Sequence, residues 1–348
     1  MLFKRGLWRG LTYVFTFVLI LSIMVGVLLE TFRTFVDEIF KTQSEQIVVE
    51  GGATYSHFKP DERYLNADGT GNSTALLKGE IELGRRHGYE GAVLLKNNVE
   101  NNKPTLPLDT GSSVTLLGKR SHTTILGSKQ GMNIGGPIVT LATALSGTST
   151  NFPNELGTGT ADVYSKIENI NFKGFGVAED GLTDAGAGFK LNPDMIKKYG
   201  ELVSQEAYKC TYSADQPARD GNDAKEPGRS LIEGVSLTGY KDAAILVFGR
   251  PSTEATDFAK PESGKRGPLA LSTEEREIVN YATENFDKVI VLINTNSAME
   301  IQELKDNPGV DAILWIGHPG SFGCLGIADV LCGRVSPSGG LSDIYVAD

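Results

Sequence analysis

Two carboxylates, Glu254 and Asp257, and an arginine, Arg250, follow the apolar run Ala243-Ala-Ile-Leu-Val-Phe248 in the polar segment Gly249-Arg-Pro-Ser-Thr-Glu-Ala-Thr-Asp257. The run reads as a buried strand, and open α/β sheets keep their chemistry at the carboxyl ends of their strands. A carboxyl group there is a candidate general acid or base, which makes Glu254 the candidate catalytic residue. The bland alternative is a solvated loop acid. Asp257 could orient Arg250 or a hydroxyl of a bound ligand, and a plain loop salt bridge is the competing role; Arg250 and Asp257 are candidate binding residues. Arg120, Ser121 and His122 follow a shorter apolar run, Val114-Thr-Leu-Leu117, and could line the same rim, with an exposed polar turn as the alternative. His318 reads as structural, and Trp315, inside an apolar strand, as core.

Other chemistries lack their residues. The three cysteines, Cys210, Cys324 and Cys332, are odd in number and have no CxxC spacing, so neither a disulfide framework nor a zinc site is indicated. The histidines show no HExxH spacing, and no metal and no cofactor are expected. The glycine-rich stretch from Gly118 to Gly136 contains neither GxGxxG nor GxxxxGK[ST], which argues against a phosphate cradle. A formal net charge of -10 leaves no basic stripe for nucleic acid.

Alternating segments must position these residues. Ser73 to about Lys96 has helical spacing, although Gly84, Gly88 and Gly91 weaken it. A strand at 114–117 and a short helix over 138–145 follow, then an insertion at 147–187. Asn192-Pro193 opens a helix through Ala207, with Asn as cap and Pro in the first turn. Strands at 243–248, 289–293 and 312–316 alternate with helices at 272–285, capped by Ser272 with Glu275 three residues on, and at 322–331. That alternation predicts an α/β fold with a mostly parallel sheet sandwiched by helices.

The amino terminus has another character. From Gly10 to Leu29 no residue is charged, enough for about 30 Å of helix and one bilayer crossing. Lys4, Arg5 and Arg9 precede it, so a short cytoplasmic tail (1–9), a transmembrane helix (10–29), a stalk (30–72) and an extracytoplasmic domain (73–348) are expected, the chain being held in the cell membrane by a single pass. A cleaved signal peptide is the competing reading; the apolar run is longer than that role needs, and no Ala-x-Ala site follows.

Laid end to end, residues 83–348 resemble, in pieces, the α/β sandwich domain of glycoside hydrolase family 3, the β-glucosidase-like enzymes, where it is usually C-terminal. The pieces are Glu90-Gly-Ala-Val-Leu-Leu-Lys-Asn97, Leu106-Pro-Leu108, Val114 to Gly118, the strand ending at Arg250 with Glu254 and Asp257, Leu271-Ser272 with Glu275, Val289 to Asn294, Val310 to Leu314, and a closing set around Pro319-Gly320, Ala328-Asp-Val-Leu331 and Pro337-Ser-Gly339. The resemblance implies a retaining glycosidase acting on a carbohydrate, with Glu254 as general acid/base. Ser252, Thr253 and Ala255 stand where the family has glycines, which stiffens the loop, and Gly340 stands where it usually has Arg. A retaining enzyme also needs a nucleophilic carboxylate about 5–5.5 Å from the first. In the family it lies on a (β/α)8 barrel of about 250 residues, which does not fit here. Some family members are similar in placing a membrane span first, then this domain, then the barrel. The expectation is therefore the acid/base half of a permuted enzyme, its barrel supplied in cis or in trans. The chain alone is expected to be inactive. The alternative is a non-catalytic carbohydrate-binding or assembly module.

Overall fold

The computed structural model describes residues 2–31, 61–100, 102–127, 139–146, 187–205, 207–208, 225–250, 267–342 and 345. The chain divides into two units, Met1–Asp61 and Glu62–Asp348. The first contains α1 (Leu2–Thr31), whose side chains from Trp8 to Val27 are all exposed and mostly large and apolar. Its length and composition are those of a membrane span, and a signal sequence has the same features.

The second unit is built around one sheet. In chain order its elements are α2 (Ser73–Gly91), β1 (Val93–Asn97), the hairpin β2 (Val99–Glu100) and β3 (Lys103–Pro104), β4 (Ser113–Leu117), α3 (Leu141–Ser146), β5 (Lys190–Leu191), α4 (Pro193–Val203), β6 (Ala243–Arg250), α5 (Thr273–Asn285), β7 (Val289–Thr295), α6 (Gln302–Asp306), β8 (Ala312–Trp315) and α7 (Gly323–Leu331). The six-stranded sheet runs β1-β8-β7-β6-β4-β5, parallel throughout except for β1, which lies antiparallel on β8. It is thus a mixed, mostly parallel sheet flanked by helices.

The apolar runs are continuous because both sheet faces are covered. Ala243, Ile245 and Val247 face a core shared with α2, α3 and α7; Ala244, Leu246 and Phe248 face one shared with α4, α5 and α6. The spacing of two between residues on one face is the strand's own period. Local signals begin the helices. Asn192 Oδ1 accepts from the amides of Asp194 and Met195 at 3.1 Å, and Ser272 and Glu275 complete a reciprocal capping box at the start of α5. α4 stops at Val203, short of Ala207, because Gln205 N turns onto Leu202 O and tightens the chain out of the helix.

Helical spacing over 73–96 predicts one helix, and the structure corrects that. α2 ends at Gly91, Ala92 is extended, and Val93–Asn97 becomes the antiparallel edge strand, with Val93 opposite Trp315 and Asn97 opposite Ala312. Tertiary pairing overrides the periodicity. The glycines that weaken α2 as an isolated helix have a packing role. A Cβ on Gly88 would stand 2.0 Å from Gly323 O, and one on Gly326 would stand 2.0 Å from Arg85 O. α2 and α7 therefore meet backbone to backbone, locked beside the contact by the ion pair of Arg85 with buried Asp329. Trp315 is half-buried against the second core, and Cys324 is buried, its thiol pushed up to about 12 by loss of water. The insertion expected at 147–187 lies outside the described residues except for Ala187.

Candidate functional site

The register decides what stands at the carboxyl edge of the sheet. Leu117, the last residue of β4, is level with Leu246, while β6 and β7 run on together to Arg250 and Thr295. β4 must therefore turn away beneath the projecting end of β6. Gly118 makes that turn at φ +84°, a left-handed conformation, where a Cβ would stand 2.6 Å from Val247 O. The chain then forms a 3-10 turn, Lys119–Ser121, whose three residues are all buried.

That burial changes the character of Arg120, Ser121 and His122. An exposed polar turn is one expectation for them; the structure instead buries the turn, with Glu226 and residues of α4 bonded to it. Glu226, 4 % exposed, accepts the amide of Lys119 on both carboxylate oxygens at 2.9 Å. Tyr199 of α4 accepts the amide of Gly118 at 2.9 Å on its hydroxyl. Arg120, 3 % exposed, donates from Nη1 to Thr123 O at 3.3 Å, and Ser121 Oγ donates to Gly118 O at 2.7 Å. His122 stacks on Tyr199 at 5.6 Å between ring centroids, with Nε2 2.7 Å from Ile196 O. These are internal contacts.

The electrostatics follow from the lack of water. Burial pushes the Glu226 carboxyl up to about 8, above its ordinary 4.5, although the Lys119 amide and the Lys119 and Arg120 charges pull it down. Tyr199 is raised, first by burial and then by Glu226. Part of the His122 surface remains exposed, yet loss of water around its ring lowers it to about 4, so the imidazole is neutral at physiological pH. His318, beyond β8, is lowered to about 4 by burial and by Arg120, and its Nε2 has no hydrogen-bond partner among the described residues.

Arg250 lies at the end of β6, 3 % exposed. Its Nε donates to Pro268 O at 2.6 Å, Nη1 to Gly249 O at 3.0 Å and Glu275 Oε1 at 2.7 Å, and Nη2 to Ala270 O at 2.8 Å and Glu275 Oε2 at 2.7 Å. A guanidinium has five N–H donors, and all are taken by protein acceptors. No donor is left for a sugar hydroxyl. Beside it, Asn294 at the end of β7 joins two loops: Oδ1 accepts Ile125 N at 2.6 Å, while Nδ2 donates to Ile125 O at 2.9 Å and Gly317 O at 2.7 Å.

Arg250, Arg120 and His122 thus share the carboxyl edge of one sheet. Glu254 and Asp257 belong to residues 251–266, outside the described residues. Reasoning from sequence missed Glu226 and Asn294 and saw in Glu275 only a helix cap. Glu226 precedes a proline in a polar stretch, with no strand before it to mark a sheet edge. Among the described residues no cluster of His, Cys, Asp and Glu could hold a metal ion. What the geometry provides is a set of buried polar side chains, Arg120, Glu226, Arg250, Glu275 and Asn294, at the carboxyl edge of the sheet.

Residues 92–345 match the family model described as the glycosyl hydrolase family 3 C-terminal domain. The chain is 28% identical over 260 residues to a β-glucosidase of Ruminococcus albus, covering 74% of this chain and 22% of that one. It is 25% identical over 296 residues to β-glucosidase A of Butyrivibrio fibrisolvens, covering 80% and 30%. It therefore spans less than a third of the length of these curated relatives. Among solved structures, β-glucosidase 3B of Thermotoga neapolitana in complex with glucose aligns with a TM-score of 0.52 at 24% identity, over 78% of this chain and 32% of that one. A β-glucosidase of Paenibacillus barengoltzii aligns with a TM-score of 0.51 at 21% identity, over 74% and 23%. These two similarities speak to the fold.

Proposed function

The chain belongs to glycosyl hydrolase family 3 through its C-terminal-type domain, and from that membership we propose that it is the acid/base-bearing half of a β-glucosidase-like retaining glycosidase. Glu254 is the general acid/base. It protonates the glycosidic oxygen as that bond breaks, then takes a proton from the water that attacks the glycosyl-enzyme intermediate. Asp257 is the candidate sugar ligand in the same loop. Arg120 and His122, after β4 at the same edge of the sheet, are the candidate binding residues of the rim. The nucleophile comes from a barrel domain, in cis or in trans. The observation that carries this reading is the place of Glu254 in the family's motif order, four residues along the sequence from Arg250, the last residue of β6. α1 anchors the domain in a membrane, with Lys4, Arg5 and Arg9 on the cytoplasmic side and residues 30–72 linking it to the domain.

The test is hydrolysis of an aryl β-glucoside by this chain joined to a family barrel. Glu254→Gln should lower turnover by about 10²–10⁴-fold, and the chain alone should show none. An unchanged rate in Glu254→Gln would favour the second reading, a carbohydrate-binding or assembly module. That reading draws on Ser252, Thr253 and Ala255, which replace glycines of the family's acid/base loop. Turnover by the isolated chain that vanishes in Glu254→Gln would overturn the need for a barrel.

A further inference from the structure

We propose that Asn294 is a positioning residue of the rim: its side-chain amide holds the turn after β4, which carries Arg120 and His122, against the turn after β8, which carries His318. That the rim meets a sugar rests on the proposed glycosidase function; the joining of the turns does not. The ladder of β4 with β6 stops at Leu117 and Leu246, whereas that of β6 with β7 runs on to Arg250 and Thr295. The chain after β4 therefore crosses the projecting end of β6. It does so at Gly249, where a Cβ would stand 3.1 Å from Ile125 Cδ1 and 3.3 Å from Arg120 Cγ, so both side chains lie where that residue has none. Opposite Gly249 on β7 stands Asn294. Its Oδ1 accepts Ile125 N at 2.6 Å and its Nδ2 donates to Ile125 O at 2.9 Å, the pair of bonds a neighbouring strand would supply. The second Nδ2 hydrogen goes to Gly317 O at 2.7 Å. Beyond it the two turns bond directly, Gly320 N donating to Leu126 O at 2.8 Å.

The side-chain type suits the task. A primary amide has two N–H donors and a carbonyl acceptor and carries no charge, so it can be buried completely, as Asn294 is, once those groups are bonded. Leucine has the same branching and no polar atoms. In its place the Ile125 amide and the Ile125 and Gly317 carbonyls would each lose this partner, and a buried backbone group left unpaired is costly enough to open the turn to water. The start of the turn is held separately, Gly118 N by Tyr199 and Lys119 N by Glu226. Asn294 fixes its far end at Ile125, so the stretch carrying Arg120 and His122 is tied at both ends. His318 reports the outcome from the other turn, because burial first and then the nearby charge of Arg120 lower its imidazole to about 4.

The test uses the full chain carrying Asn294→Leu or Asn294→Ala. Both remove the amide without burying a charge; the first keeps close to the original volume, and the second adds no atom that could clash. Amide hydrogen exchange is read on peptides covering 119–126 and 317–321 and, as a measure of the sheet, 243–248. Both variants should exchange about 10-fold faster or more in the two turns, the effect of about one net hydrogen bond, while 243–248 is unchanged. The imidazole resonance of His318, assigned through His318→Gln, should titrate closer to its ordinary 6.5 than to about 4. In the chain joined to a family barrel, KM for the aryl β-glucoside should rise about 10-fold with kcat little changed, the mark of lost binding. Wild-type exchange in Asn294→Leu would overturn the proposal, since volume rather than the amide would then seat the turns. So would a rise shared by all three peptides, or a His318 titration still at about 4 in both variants. Local opening with an unchanged KM would remove Asn294 from the rim. Unchanged turnover in Glu254→Gln would defeat the glycosidase function instead, and the exchange result would still decide whether Asn294 joins the turns.

Discussion

Replacing Glu226 by glutamine should flatten the pH dependence of stability above neutrality. Glu226 is fully enclosed, and burial raises its carboxyl from 4.5 to about 8. Between those values the folded chain holds a proton that the unfolded chain has lost, so stability falls as pH rises. The contribution is complete below about pH 4.5 and gone above about pH 8. Roughly 3.5 units at about 1.4 kcal/mol each set a ceiling of about 5 kcal/mol. His122 and His318 oppose it at the acid end. Both are lowered to about 4 in the fold, so their contribution is present above about pH 6.5 and lost as pH falls toward 4. The clean window therefore lies between about pH 6.5 and 8.5, above the histidines and below the range in which buried Cys324 contributes, where Glu226 should cost about 2 kcal/mol. Urea unfolding followed by Trp315 fluorescence in a Trp8→Phe background, at half-unit pH steps, measures it. Glu226→Gln keeps an acceptor for the Lys119 amide and removes the titration, and its histidine contribution matches that of the wild type. The difference between the two curves should carry the whole fall of about 2 kcal/mol. An identical slope in both proteins would refute the assignment of a proton to Glu226.

Two further outcomes test the packing and the amino terminus. Gly326→Ala should lower stability by at least about 1–3 kcal/mol, read as a drop in urea midpoint, because its new Cβ would meet Arg85 O at 2.0 Å and neither backbone can yield; a wild-type midpoint would show that α2 and α7 are not in backbone contact. α1 should hold the expressed chain in the membrane fraction through alkaline carbonate washing, whereas a chain starting at Glu62 is released; release of the full-length chain, still carrying its amino terminus, would exclude an anchor.

Features set by neighbours along the chain are legible in the sequence. The apolar runs at 243–248, 289–293 and 312–316 read as buried parallel strands, and Ser272 with Glu275 as the start of a helix, because periodicity and capping involve residues a few positions apart. The order of those segments carries the family resemblance and the place of Arg250 at a strand end. Other features needed the tertiary structure. Val93–Asn97 is a strand because β8 offers it an edge. Gly84 and Gly88 leave room in their helix for Phe322 and Gly323 at the start of α7. Lys119 and Glu226 meet across the fold, and burial there, not residue type, keeps a proton on the carboxyl. Arg250 shows the division within one residue. Its type and its place at a strand end, read from sequence, suit it equally to a sugar or to a neighbouring loop. Only the folded chain, by bringing Pro268, Ala270 and Glu275 to the guanidinium, decided which acceptors its five donors would take.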